Sequence, residues 1–220
     1  MKLFAVTGEK CSGKHTCIEY LNAQYNIPLS SIRSIAGVVI NHMTSLGWDP
    51  KKQDCYGITD FARIQRLVSN YEECNPDLYS KSVLESLAQG LSPGIVHDIM
   101  TMRELMYFQK HTDLHIIHIT APISIRFERW LTQATNYALE TEIPDKTNET
   151  IQSFEALEAD EQFDQGDDKI QLGKIMEYAR AHGTVIVNQG SKQDLNRKLD
   201  EIMASHKIKK PKKNGNHSPR

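Results

Sequence analysis

The chain has 220 residues, 39% of them hydrophobic and 25% charged, with a net charge of −2 and four cysteines. That balance fits one soluble α/β domain and excludes a membrane-spanning bundle, since no apolar run approaches the roughly 18 residues a span needs. Lys207, Lys209, Lys210, Lys212, Lys213 and Arg220 all fall between Ser205 and Arg220, so the −2 of the whole becomes −8 for residues 1–204. A body that acidic argues against nucleic-acid binding by the domain itself.

The first apolar run, Leu3 to Val6, is too short for a secretory leader, so a cytoplasmic location is expected. Cys11, Cys17, Cys55 and Cys74 show no zinc-type spacing, and reduced thiols are the default in that compartment. Leu3 to Val6 reads as a buried strand ending at Thr7. A loop, Gly8-Glu9-Lys10-Cys11-Ser12-Gly13-Lys14, follows, and then a helix with Cys17, Ile18 and Leu21 on one side. Strand, Gly-x4-Gly-Lys and helix is the order of a P-loop. Its glycines let backbone N–H groups converge on phosphate oxygens, and the new helix adds unpaired donors and a positive dipole end. Gly8, Lys10, Cys11, Ser12, Gly13, Lys14, His15 and Thr16 are therefore the expected nucleotide-phosphate binders, with Lys14 along the β- and γ-phosphates. Cys11, beside Lys10 and Lys14, is either an oxidisable thiol or a passive loop residue.

The place directly after Lys14 holds His15, with Thr16 next. Gly-Lys-x-Thr resembles the variant of adenylate-kinase-like nucleoside monophosphate kinases, and Glu9 to Thr16 is similar to the loop of bacteriophage deoxynucleoside monophosphate kinases. The resemblance implies ATP with Mg2+ as cofactors and a small nucleotide acceptor, with Thr16 helping to hold the metal.

Tyr25 to Ser31 reads as a short second strand and turn, and Ile35 to Met43 as a helix walling the acceptor side. Gly47-Trp48-Asp49-Pro50 breaks it. A new helix is expected from Thr59 or Asp60, with Arg63 and Arg66 on one face, and another from about Asp77 to Ala88. In phosphotransferases of this build such helices form an acceptor domain, here residues 34–90. Arg63 and Arg66 either fork onto an acceptor phosphate or stand solvated on the surface. Arg33 and Arg103 complete the acceptor-side set.

Ile95 to Asp98 reads as a buried strand ending in a carboxylate, the place from which an acid holds magnesium or its water. Asp98 to Glu104 resembles the Asp-x-Arg-x-x-x-Glu of the phage kinases, with Met100 where the arginine stands and Arg103 one turn on. Asp113 to Thr120 reads as a strand covered on both faces. His115 and His118 lie three apart on it, which suits hydrogen-bonded core or edge histidines better than a metal pair.

Ala121-Pro122 starts a helix expected to run from Ile123 to Thr132. Its Arg126-Phe127-Glu128-Arg129 resembles the lid-proximal segment of archaeal adenylate-kinase-like proteins, grouped with dephospho-CoA kinases. The resemblance implies that Arg126 and Arg129 steady charge on the transferring phosphoryl; a surface Arg–Glu lattice is the other reading. Polar residues 133–150 read as a lid. An acidic helix is expected from Thr150 to Phe163, another helix from Ile170 to Ala181, and a last strand at Thr184 to Asn188. Asn188 and Gly190 stand either at a base site or in a plain strand-to-helix turn. A closing helix carries Leu195, Leu199 and Ile202, and composition predicts disorder from Lys207 onward.

The expected architecture is α/β, a P-loop NTPase fold with a five-stranded parallel sheet, helices on both faces, and small helical acceptor and lid insertions within residues 1–204. The expected function is ATP-dependent transfer of a phosphoryl group to a (deoxy)nucleoside monophosphate. A dephospho-CoA kinase-like enzyme and a non-catalytic nucleotide-binding protein are the alternatives.

Overall fold

The computed structural model describes residues 1–45, 77–88, 93–99, 101–141 and 172–211, together with Asn75. Five parallel strands form one sheet in the order β2-β3-β1-β4-β5. They are β1 (Lys2–Gly8), β2 (Ile32–Ser34), β3 (Gly94–His97), β4 (Asp113–Thr120) and β5 (Thr184–Val187). The helices are α1 (Lys14–Tyr25), α2 (Ile35–Ser45), α3 (Leu78–Ala88), α4 (Met102–His111), α5 (Ile123–Thr141), α6 (Leu172–His182) and α7 (Lys192–Ser205).

β1 is central because both of its faces are apolar. Phe4 and Val6 point into one core with α1 and α7, where Leu21, Leu195 and Leu199 close over them. Leu3 and Ala5 point into the other, with Tyr79, Val83, Leu105, Phe108 and Ile175 from α3, α4 and α6. Each such side chain, fully withdrawn from water, contributes about 1.5–3 kcal/mol, so a strand with two dry faces locks at the middle of the sheet. Register follows: Val6 lies beside His97 of β3 and Ile117 of β4, and Gly8 beside Ile119. The chain leaves β1 between a strand on either side, the switch point where doubly wound sheets bind ligands.

Three local expectations are corrected. The second strand is not at Tyr25 to Ser31: α1 runs to Tyr25 and stops on Asn26, whose φ of +53° makes a left-handed cap, and β2 follows a 3-10 turn at Leu29–Ser31. α5 continues to Thr141 rather than ending at Thr132, so the segment expected as a lid begins as helix. The last strand ends at Val187, leaving Asn188 in the loop.

The chain is described from Lys207 to Pro211, within the stretch that composition predicts to be disordered. Lys207, at φ +60°, follows α7. Its N–H donates to the Ala204 carbonyl and that of Ile208 to the Met203 carbonyl, each at 2.9 Å. That pair of bonds is a Schellman motif, and Ile208 packs on the core beneath it. Composition misled because two prolines and five lysines outweigh one isoleucine in any average.

Arg63, Arg66, the helices expected near residues 59–68 and 150–163, and residues 142–150 of the expected lid lie outside the described residues. No helix among the described residues is long and apolar enough to cross a membrane.

Candidate phosphate-binding site

Between β1 and α1 the chain turns through Gly8, Cys11 and Gly13, at φ +140°, +58° and +110°. Gly8 and Gly13 are also places of close approach. A β-carbon on Gly8 would overlap the Ile119 carbonyl oxygen, and one on Gly13 would overlap Nδ2 of Asn188. The N–H of Ser12 donates to the Glu9 carbonyl at 3.2 Å, which closes the turn. No side chain caps α1. Its first-turn donors therefore stay available, at the positive end of the helix dipole, where anions are favoured.

The ammonium of Lys14 folds back over this loop, donating to the carbonyls of Gly8 at 2.7 Å and Glu9 at 2.9 Å. Burial pushes its pKa below the ordinary lysine value, while the carboxylates of Asp98 and Glu9 pull it partway back. A desolvated ammonium gains more from an anion than a hydrated one does.

Outside the loop lies a cavity of about 770 Å3, lined by Lys10, Cys11, Gly13, Lys14, His15, Thr16, Arg129, Trp130, Asn188, Gly190 and Lys192. The wall holds four Lys or Arg side chains and no Asp or Glu, which suits a polyanion. Trp130, on α5, gives it an aromatic face, and Lys10 Nζ lies 5.6 Å from that ring. Trp130 and Lys192 are the wall residues that sequence reasoning passed over. The signal was present: Trp130 directly follows Arg129, and Lys192 opens the helix after Gly190.

Arg129 ties the cavity together. Its guanidinium donates to the carbonyls of Cys11 at 3.2 Å, Ser12 at 3.1 Å and Asn188 at 3.1 Å. Asn188 completes the brace, its Nδ2 donating to the Ser12 carbonyl at 2.7 Å and its N–H to the Thr120 carbonyl at 2.7 Å. Arg126 is buried beneath the loop, where its Nε donates to the Ala121 carbonyl at 3.0 Å. Burial lowers its pKa, with Glu9 and Cys11 opposing; a guanidinium stays charged regardless.

On the β3 side stands Asp98, in a left-handed conformation with φ +58°. Its Oδ2 accepts from Ser34 Oγ at 2.6 Å and from His97 Nδ1 at 2.8 Å. Burial would raise its pKa, but the bonds from His97 and Ser34 and the nearby Lys14 hold it below the ordinary carboxylate value. It is therefore an ionised oxygen donor beside the loop. Among the described residues no group of three or more His, Cys, Asp or Glu side chains is placed to hold a metal ion. Mg2+ keeps most of its waters and needs few protein oxygens; of the two residues expected to hold it, Thr16 lines the cavity and Asp98 stands outside its wall.

Other expected residues are engaged elsewhere. Arg33 donates from Nε to Ser86 Oγ at 3.0 Å and from NH1 to the carbonyls of Leu29 and Ile32. Arg103 pairs with Asp77 at 3.4 Å on the surface. His15 does not enter the loop: its exposed ring meets Glu19 at 3.3 Å, one turn along α1. The Cys11 thiol is pushed up by burial against the pull of Lys10 and Lys14, which disfavours the reactive thiolate. Glu104 makes a capping box with Thr101 at the start of α4, a structural duty. His118 is buried against Thr7 Oγ1 at 3.0 Å, and His115 lies against His206, with centroids 3.6 Å apart and the rings tilted by 41°.

No protein-family model matches the sequence, and no curated protein matches it. Among solved structures, the chain is similar to TT1252 from Thermus thermophilus, at 17% identity and a TM-score of 0.54, over 93% of this chain and 97% of that one. It is also similar to the dephospho-CoA kinase from Campylobacter jejuni, at 14% identity and a TM-score of 0.46, over 93% of this chain and 96% of that one. The first likeness, end to end in both chains, shows a shared fold.

Proposed function

We propose that this chain is an ATP-dependent phosphotransferase whose acceptor is a small nucleotide, in the first place a (deoxy)nucleoside monophosphate. The observation that carries this is the Lys14 ammonium, seated over a Gly8–Gly13 loop at a cavity whose wall has cations and no carboxylate. The triphosphate of ATP lies along the loop N–H groups and the first turn of α1, with Lys14 shared between the β- and γ-phosphates. The base rests against Trp130, near Gly190 and Asn188. Thr16 and Asp98 would hold a magnesium ion, which would supply charge neutralisation to the transferring phosphoryl group.

An acceptor oxygen attacks the γ-phosphorus in line, the bond to the β-phosphate oxygen breaks, and ADP leaves. Charge gathers on the equatorial oxygens, and Lys14 and the loop donors meet it. A phosphate acceptor is an anion at neutral pH and needs no base. A hydroxyl acceptor, as in a dephospho-CoA kinase-like enzyme, does need one.

Incubation with MgATP and a panel of nucleoside and deoxynucleoside monophosphates plus dephospho-CoA, followed by ADP detection, tests both. ADP formation with one acceptor class is expected, with a fall on the order of 100-fold or more in Lys14→Ala. ATP binding without ADP formation on any acceptor would leave a nucleotide-binding protein and no enzyme.

A further inference from the structure

Asp98 is held by two residues that no motif names. Ser34 and His97 are cross-strand partners at the ends of β2 and β3, so their side chains emerge beside Asp98, the first residue past β3. Both bonds converge on one oxygen: Ser34 Oγ reaches Oδ2 at 2.6 Å, and His97 Nδ1 reaches the same Oδ2 at 2.8 Å. A carboxylate only accepts, so Nδ1 carries the proton and Ser34 is a donor. Among the described residues no donor reaches Oδ1.

Ser34 has a second task. Its Oγ accepts the N–H of Gly37 at 2.9 Å, which caps the first turn of α2. One hydroxyl thus fastens both the start of α2 and the carboxylate of Asp98. The left-handed backbone at Asp98 is rare outside glycine and persists only where its surroundings over-determine it. Two short bonds to one oxygen are that over-determination.

We propose that His97 and Ser34 are positioning residues, which immobilise Asp98 through Oδ2 so that Oδ1 faces the phosphate loop, and which couple this presentation to the seating of α2. The proposal rests on the phosphotransferase reading for its chemistry, though the clamp itself is a matter of geometry. Neither residue touches substrate: each acts through Asp98. Supporting partners of this kind are worth about 10- to 100-fold when removed, because the group they orient becomes free to rotate.

The test compares wild type with His97→Phe, His97→Asn, Ser34→Ala and Ser34→Thr. His97→Asn keeps an N–H donor near Nδ1, and His97→Phe keeps the ring without it. Turnover with MgATP is resolved into kcat and KM, ATP binding is measured by calorimetry with and without Mg2+, and thermal unfolding monitors integrity. His97→Phe and Ser34→Ala are expected to lose about 10-fold or more in kcat, with KM for ATP within about twofold, and to lose much of the Mg2+-dependent gain in ATP affinity. His97→Asn and Ser34→Thr are expected to recover most of both. Wild-type kcat and metal dependence in His97→Phe overturn the proposal. So does a loss that tracks the unfolding temperature and is not rescued by His97→Asn. If wild type binds MgATP without turnover, the phosphotransferase reading falls and the calorimetric comparison still decides the clamp. A metal-linked gain lost in His97→Phe upholds it, and an unchanged gain ends it.

Discussion

Asn188 Nδ2 donates to the Ser12 carbonyl at 2.7 Å, and the same nitrogen overlaps the place a β-carbon on Gly13 would occupy. The loop after β5 and the loop after β1 thus meet at a point with no room for a methyl group. Gly13 also sits at φ +110°, a conformation costly for any residue with a side chain.

Gly13→Ala is therefore expected to destabilise the fold by about 1–3 kcal/mol and to weaken ATP binding. Asn188→Ala alone removes the bond to Ser12, at about 1 kcal/mol. The double variant relieves the overlap while keeping the φ strain, so its loss should be smaller than the sum of the two. Denaturant unfolding of the four proteins measures this coupling. Strict additivity would mean the two loops are not in contact.

Trp130 offers a direct view of ligand binding. It forms the aromatic part of the cavity wall, with Lys10 Nζ over its ring at 5.6 Å. A base stacking there displaces the lysine and alters the indole environment. Titration with ATP is expected to quench tryptophan emission in wild type, and Trp130→Phe should abolish that change. Trp130→Ala, which removes the ring, should weaken ATP binding by about 1–3 kcal/mol. Quenching that survives in Trp130→Phe would place the base elsewhere.

The strands were legible where burial speaks through the sequence. Between its polar ends, Asp113 to Thr120 is all apolar or His, as suits a strand with both faces covered, and its bounds are as expected. β2 was not: three half-buried residues at a sheet edge leave little pattern, and Tyr25 to Ile27 imitate a strand. Asn26 carried the better signal, as a residue that tolerates the left-handed cap. The phosphate loop was visible because its glycines and lysine are fixed by backbone geometry. Side-chain direction was not visible. Arg129, expected to steady charge on the transferring phosphoryl, gives three of its five N–H donors to carbonyls, which no motif foretells. His97 reads as the last residue of an apolar strand, and only the pairing with Ser34 reveals its use.

The Asp98 carboxylate sets a pH dependence. Its folded pKa lies below the ordinary value, because bonds from His97 and Ser34 outweigh the cost of burial. The stability it adds is therefore present in full above the unfolded-state carboxylate value and is lost as pH falls through the lower, folded one. Asp98→Asn forgoes those charge-assisted bonds and should be less stable near neutrality, by about 1–2 kcal/mol after solvent screening. The gap between the two proteins should narrow below about pH 4, where unfolded carboxyls protonate. Urea unfolding at pH 7, 5, 4 and 3 tests the sign. A gap that widens toward acid would show that Asp98 is not held ionised.

The tail yields a final expectation. Past α7, Ile208 packs on the core that holds Phe4 and Leu199. Lys210 Nζ meets Asp200 Oδ2 at 2.8 Å and Tyr20 OH at 3.1 Å. Tyr25 OH donates to the other oxygen of Asp200, at 2.8 Å. The carboxylate is thus shared by two phenols and an ammonium, and the tail closes over the end of α1. The Lys210 pair is exposed and worth about 0.2–1 kcal/mol; burial of Ile208 and the two Schellman bonds contribute the larger share. Truncation after Pro211 should leave the unfolding temperature nearly unchanged, while truncation after Ser205 should lower it by several degrees. Lys207→Gly, at φ +60°, should raise stability by about 0.5–1 kcal/mol, since glycine adopts that conformation without strain. Thermal unfolding of the three variants decides it: equal melting of both truncations would mean that residues 206–211 carry no weight, and a destabilising Lys207→Gly would mean the left-handed turn does not form in solution.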